Sequence, residues 1–221
     1  MLMTKKIGLV TIGQSPRVDM TPEMEPFLGD DCSFVEAGAL DDLTLEEIEK
    51  LAPQEGETTY VSRLRLGSYA KLEKSKLLPF VQEKIIKLEE EVSSTILVCT
   101  GSFPTLTHTK PLLFPDKILM GMVQSVIGNG MLGVMVPLQE QEGVLTGKWG
   151  NVPHVTASAN PYLEEDDFVT PSLKLKESGA TIIVLDCMGY TEKHKNIVKR
   201  TTNLPVILSR SVVARVAAEL S

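Results

Sequence analysis

Five short apolar runs stand out along the chain: Lys6–Gly13, Thr95–Cys99, Met131–Val136, Thr181–Asp186 and Leu204–Leu208. They are continuous rather than alternating, the pattern of parallel strands covered on both faces. Each gives way to a cluster of Gly, Ser, Thr, Cys or Pro, as a strand does before a loop and helix. Cys32–Glu36 and Thr59–Arg65 are weaker strand candidates. Between the runs the apolar period lengthens. Leu43–Leu51 reads as a helix capped by Asp41 or Asp42, with acidic early turns that suit the helix dipole. Ser75–Val92 puts Leu78, Val81, Ile85 and Leu88 on one face, with Pro79 in its first turn. Tyr162–Ser178 reads as a helix stopped by Gly179, Thr191–Thr202 as another, and Ser211–Leu220 as the last. Strands alternating with helices predict an α/β protein with mainly parallel sheets flanked by helices.

A faint internal echo divides the pattern. One half runs from Ile7-Gly-Leu-Val to Ile96-Leu-Val-Cys99-Thr-Gly. The other runs from Leu132-Gly-Val-Met-Val to Ile183-Val-Leu-Asp-Cys187-Met-Gly. Each opens on a strand containing Gly and closes on a strand carrying Cys at its C-terminal end. The length of 221 residues is consistent with two such lobes, at roughly 150 residues per domain as a prior. The expected lobes are residues 1–110 with 206–221, and residues 111–205.

Charge and composition then narrow the function. With 22 Lys and Arg against 29 Asp and Glu, the net charge of −7 argues against a nucleic-acid binder that works by phosphate neutralisation. No apolar run has the ~18 residues of a membrane span, and Met1–Lys6 lacks a secretory signal, so a cytoplasmic protein is expected. The three cysteines, Cys32, Cys99 and Cys187, show no CxxC or Cys/His metal spacing. No metal and no cofactor are therefore expected. Ile127–Gly133 contains a G-x-G, but it precedes a strand instead of following one, so it is no dinucleotide fingerprint.

Ligands of open α/β sheets bind beyond the carboxyl ends of the strands, where Cys99 and Cys187 both fall. Thr100-Gly101-Ser102 and Met188-Gly189-Tyr190 follow them as loops whose backbone N–H groups can face a thiolate or a bound carboxylate. Two such thiols flanking one carbon would invert a stereocentre: one abstracts a proton and the other supplies one to the opposite face. Gln14, Ser15 and Arg17 follow the first strand and are candidates to hold an anionic small-molecule substrate, with Arg17 as a bidentate partner. Arg63 and Arg65, two apart on a strand, share a face and form a candidate anion-binding edge. Ser209 and Arg210 follow the last strand and are candidates to line the site. Cys32 is expected in the core. Asp186 points away from the neighbouring thiol. His108, His154 and His194 are scattered, with His194 expected on the solvent side of its helix. The charges of Lys84–Glu91 are read as a solvated helix face.

Ile12-Gly-Gln-Ser-Pro-Arg17, Tyr60-Val-Ser-Arg-Leu-Arg65, Val184-Leu-Asp-Cys-Met-Gly-Tyr190 and the tail from Leu204 resemble the AroM family over nearly the whole chain. That family is grouped with the aspartate/glutamate/hydantoin racemase superfamily. The resemblance implies two pseudo-symmetric α/β lobes with the active site in the inter-lobe cleft, and a possible homodimer. It implies that Cys99 and Cys187 correspond to the catalytic pair, with Thr100 as the polar residue after the first. Two departures stand out: Met188-Gly189 replaces the Thr-His that follows the second cysteine in glutamate racemases, and Gly13-Gln14-Ser15 replaces an Asp-Ser-Gly loop. The expected activity is a cofactor-independent racemase or epimerase of a small chiral carboxylate, amino acid or hydantoin-like compound. The alternatives are a single-cysteine isomerase or decarboxylase of the same superfamily, and a non-catalytic metabolite-binding protein linked to aromatic biosynthesis.

Overall fold

A computed structural model describes residues 5–143, 147–163 and 165–220. The expected leader-free start therefore falls partly outside the described residues, as does Glu164 of the expected third helix, Tyr162–Ser178. The chain divides into two units, Met1–Pro115 with Val213–Ser221, and Asp116–Val212.

The first unit holds β1 (Lys5–Thr11), α1 (Thr21–Met24), β2 (Cys32–Gly38), α2 (Leu45–Glu49), β3 (Thr59–Arg63), β4 (Tyr69–Glu73), α3 (Lys74–Glu89), β5 (Ser94–Val98) and β6 (Leu112–Leu113). Four of these strands form a parallel sheet in the order β2-β1-β5-β6. The central pair β1 and β5 is buried on both faces, with Ile7, Leu9, Val10, Ile96 and Leu97 out of contact with water. That explains their unbroken apolar runs. Helix α3 lays Leu77, Val81, Ile85 and Leu88 into the same core cluster as Val10, Ile12 and Leu97. Burying each such side chain contributes roughly 1.5–3 kcal/mol. The helix starts at Lys74, so Pro79 lies inside it and not in its first turn.

The second unit holds α4 (Pro115–Val126), β7 (Met131–Val136), β8 (His154–Ser158), α5 (Val169–Glu177), β9 (Ala180–Leu185), α6 (Glu192–Thr202), β10 (Val206–Leu208) and the start of α7 (Ser209–Ala218). Its parallel sheet runs β10-β9-β7-β8. Val206–Leu208, expected with the first lobe, pairs with β9 and so belongs here. The third expected helix, Tyr162–Ser178, is shorter than its apolar pattern. It begins at Val169, because Asp167 accepts the Val169 and Thr170 N–H groups and sets the start there.

Three other expectations change. The cap of α2 is Thr44, which forms a reciprocal box with Glu47, while Asp41 and Asp42 are used elsewhere. Lys84 and Glu89 are buried tethers and not a solvated face. Lys84 pairs with Asp42, and Glu89 accepts from Thr109 N (2.7 Å), Thr109 Oγ1 (2.6 Å) and Lys110 N (2.9 Å). Cys32 is half-buried on the edge strand β2 and not in the core. Among the described residues no helix is long and apolar enough to cross a membrane.

Candidate active site

Each sheet delivers one cysteine from the carboxyl end of a central strand. Cys99 directly follows β5, which lies between β1 and β6. Cys187 comes two residues after β9, which lies between β10 and β7. Both thiols then meet the same local geometry. The Gly101 N–H donates to Cys99 Sγ at 3.3 Å, and the Gly189 N–H donates to Cys187 Sγ at 3.3 Å. An N–H aimed at sulfur favours the thiolate over the thiol.

The glycine of each Cys-x-Gly turn is required by space, since neither has a positive φ. A Cβ on Gly101 would lie 2.4 Å from Tyr60 Cζ, and one on Gly189 would lie 2.5 Å from Tyr162 Oη. Each turn therefore sits under a tyrosine. Tyr60 Oη donates to Ser102 O at 3.3 Å, and the ring packs on Phe103 with centroids 5.2 Å apart. Tyr162 Oη lies 3.7 Å from Cys187 Sγ. The sequence gives neither tyrosine a site role, although Tyr60 opens one of the quoted motifs, because each reaches its glycine only through tertiary folding.

Residues beyond the second sheet fix the Cys187 turn. Ser209 is fully buried, and its hydroxyl donates to Leu185 O. Arg210 is also fully buried; its Nε donates to Met188 O at 3.0 Å and its Nη2 to Gly189 O at 2.9 Å. Asp186 is buried and paired with Lys148, which itself lies over the Trp149 ring. Tyr190 is fully buried with its hydroxyl on Ala159 O at 2.8 Å. Burial, reinforced by Cys187 and Asp186, raises its phenol well above its ordinary range, so it stays protonated. His194 is not turned to solvent. It stacks on Phe168 at 4.4 Å, and its Nδ1 accepts the Thr191 N–H at 3.1 Å. Burial, with the positive charges of Arg210 and Lys193, pushes its imidazole down to about 4.

The loop after β1 differs most from its expected role. Arg17 is 2% exposed, and its fork grips Asp19 through Nε and Nη2, both at 2.9 Å. Its Nη1 donates to Thr11 Oγ1 at 2.9 Å. The bidentate face expected for a substrate is thus directed at Asp19. Ser15 donates to Asp41 through N (2.7 Å) and Oγ (2.6 Å). Gln14 Oε1 accepts the Arg65 N–H at 2.9 Å. Arg65 also donates to Ser15 O and to Asp41 Oδ1. It lies in the β3–β4 turn and does not share a strand face with Arg63. Gln14, Ser15, Arg17 and Arg65 therefore build this loop through contacts within the protein. Met188 and Tyr190 are likewise buried parts of the second turn, and Ser209 is buried behind it at the start of α7. Of the expected anion-binding side chains, Arg63 is half-buried and no hydrogen bond or ion pair joins its guanidinium to another described residue. Ser102 is exposed beside Cys99, while Thr100 is buried. Among the described residues no group of three or more His, Cys, Asp or Glu side chains is placed to hold a metal.

The fold defines a class. Solved structures with the same fold include a glutamate racemase of Bacillus anthracis (12% identity, 99% of this chain and 82% of that one, TM-score 0.61). An arylmalonate decarboxylase matches at 15% identity, 98% and 93% coverage and TM-score 0.60. The aspartate racemase of Picrophilus torridus matches at 16%, 95% and 91%, with TM-score 0.56. This is the α/β fold of the aspartate/glutamate racemases. Within that class, the model of the AroM protein family matches residues 7–221, and the chain belongs to that family. No curated protein matches the chain.

Proposed function

We propose that the protein is a cofactor-independent racemase or epimerase of a small chiral carboxylate, amino acid or hydantoin-like compound, with Cys99 and Cys187 as its acid/base thiols. The observation that carries this reading is the matched pair of Cys-x-Gly turns. Each lies at the carboxyl end of a central strand, with an N–H on sulfur at 3.3 Å and a tyrosine over the glycine. The fold shared with racemases supports the same chemistry. One thiolate removes the proton from the stereogenic carbon, leaving a carbanion that the adjacent carbonyl stabilises. The other thiol donates its proton to the opposite face. The product leaves with inverted configuration, and a proton passes back between the thiols through solvent.

The chemistry needs one ionised and one protonated sulfur at the start of each turnover. Arg63 and Ser102 are the side chains in this reading that hold the substrate carboxylate. They replace the expected Gln14, Ser15 and Arg17, whose polar groups face other parts of the protein.

Deuterium wash-in at the substrate carbon tests the proposal, with a panel of amino acids and hydantoins in heavy water. The parent protein is expected to incorporate solvent deuterium into both enantiomers of one panel member. Cys99→Ser and Cys187→Ser are each expected to abolish interconversion. Interconversion at the parent rate by either variant would remove the two-thiol mechanism. Loss confined to one variant would leave the single-cysteine alternative.

A further inference from the structure

The turn after Cys187 is gripped from behind by a cation that the reaction itself does not use. Arg210 is fully buried at the start of α7, and in this turn it donates to the Met188 and Gly189 carbonyls. Those carbonyls belong to two successive peptide planes. The plane that carries Met188 O also carries the Gly189 N–H, and that N–H points to Cys187 Sγ at 3.3 Å. The plane that carries Gly189 O also carries the Tyr190 N–H, which returns to Cys187 O at 3.3 Å. In a trans peptide the C=O and N–H are opposed, so a donor on one side orients the other end. A guanidinium on the carbonyl also polarises the plane, which strengthens the N–H as a donor.

We infer that Arg210 is a positioning residue that holds Cys187 as a thiolate through the Met188–Gly189 peptide. The inference deepens the proposed function and rests on its reading of Cys187 as an acid/base thiol.

The groups around this thiol support the assignment. Tyr162 Oη lies 3.7 Å from the sulfur and can donate to a thiolate. Tyr190 is held protonated by burial. Asp186, adjacent in the chain, would oppose a second negative charge, but Lys148 pairs with it. Asp166 acts on the same cluster, and its carboxylate accepts the Asn160 N–H. His194 is neutral near pH 7, so the cation that acts on the Cys187 turn from the α7 side is Arg210. The guanidinium also suits the task in shape. Its rigid fork reaches two carbonyls at once, which a lysine ammonium on a flexible stem does not do in the same way.

The test is a pH titration of the Cys187 thiolate by its ultraviolet absorbance in the full chain. The corresponding Cys187→Ser protein is subtracted as the blank in each background. No substrate is needed, so the outcome is independent of whether turnover is found. The parent is expected to titrate below the ordinary cysteine value of ~8.5. Arg210→Gln is expected to raise the midpoint by about one unit, a roughly tenfold loss of thiolate at neutral pH. Arg210→Lys, which keeps the charge and loses the fork, is expected to fall between the two. A parent midpoint at or above the ordinary value overturns the inference, and so does an Arg210→Gln midpoint equal to the parent's. If Arg210→Gln does not fold, Arg210→Lys decides in the same way: an intermediate midpoint supports the inference and an unshifted one overturns it.

Discussion

Replacing Asp41 with alanine tests whether the Gly-Gln-Ser-Pro-Arg loop is a structural lock. The Asp41 carboxylate accepts four hydrogen bonds: from Ser15 N (2.7 Å), Ser15 Oγ (2.6 Å), Gly38 N (2.7 Å) and Arg65 Nη2 (3.0 Å). It sits against Gly38, where any Cβ would lie 2.5 Å from Asp41 Oδ1. Alanine would leave two backbone N–H groups and a hydroxyl without this acceptor. Hydrogen bonds to a charged group contribute ~1.5–3 kcal/mol each when buried. The side chains of Asp41 and Arg65 are 20% and 49% exposed, so water replaces part of the loss. The half-exposed Arg65 arm adds under ~1 kcal/mol on its own. A total of about 3–5 kcal/mol is expected for Asp41→Ala. For a chain of this size that lowers Tm by about 10 °C. The assay is thermal unfolding followed by circular dichroism, with Ser15→Ala as a milder control that removes one of the four bonds. A Tm for Asp41→Ala within about 2 °C of the parent would refute the lock. Gln14 and Ser15 would then be available for the ligand role that their place after β1 first indicated.

Two further outcomes are expected. Gly101→Ala forces a Cβ to within 2.4 Å of the Tyr60 ring and should destabilise the protein by about 1–3 kcal/mol in denaturant unfolding. Combining it with Tyr60→Ala should recover part of that loss in a double-mutant cycle, and purely additive effects would show that the ring and the glycine are not coupled. His194 has its folded pKa lowered from 6.5 to about 4. The unfolded chain therefore binds more protons in that window, and stability falls as pH drops from 6.5 toward 4. The comparison is Tm for the parent and His194→Gln between pH 6.5 and 5; the variant should show a flatter slope, and parallel slopes would place the titration elsewhere.

Much of the fold is visible in the chain because its period is strong. The runs at Lys6, Thr95, Met131 and Thr181 are apolar at successive positions through their centres, the pattern of a strand covered on both faces. The elements that escape the pattern are short or half-buried. Tyr69–Glu73 and His154–Ser158 alternate weakly; the first mixes buried, half-buried and exposed positions, and the second is half-buried at most positions. Helix α4 follows a helical period through Leu119 and Val123, but Gly121 interrupts it and a Gly-Asn-Gly turn ends it. Where two rules compete, local chemistry decides. Tyr162–Ser178 carries a helical pattern throughout, yet the Asp167 cap starts the helix at Val169.

The candidate site divides along a different line. A cysteine ending an apolar run, followed by x-Gly, is readable because strand and turn are local events. The partners of a charge are not local. Arg17, Arg65 and Ser15 have the residue types that hold a carboxylate, and each does hold one, but it belongs to Asp19 or Asp41. Asp19 is two residues from Arg17, so that pair had a sequence signal. Asp41 lies 24 residues from Arg65, and its role as a helix cap was the more economical local reading until Thr44 proved to be the cap. The same reasoning explains Arg210. A buried guanidinium needs acceptors, and here they are backbone carbonyls of a turn, which carry no side-chain signature. A cation read from sequence as lining the site is thus placed one peptide away from the Cys187 sulfur. The arginines thus part into distinct environments: Arg17 and Arg65 shape the loop after β1, Arg210 donates to the carbonyls of the Cys187 turn, and Arg63 is the one that the proposed function assigns to the substrate anion.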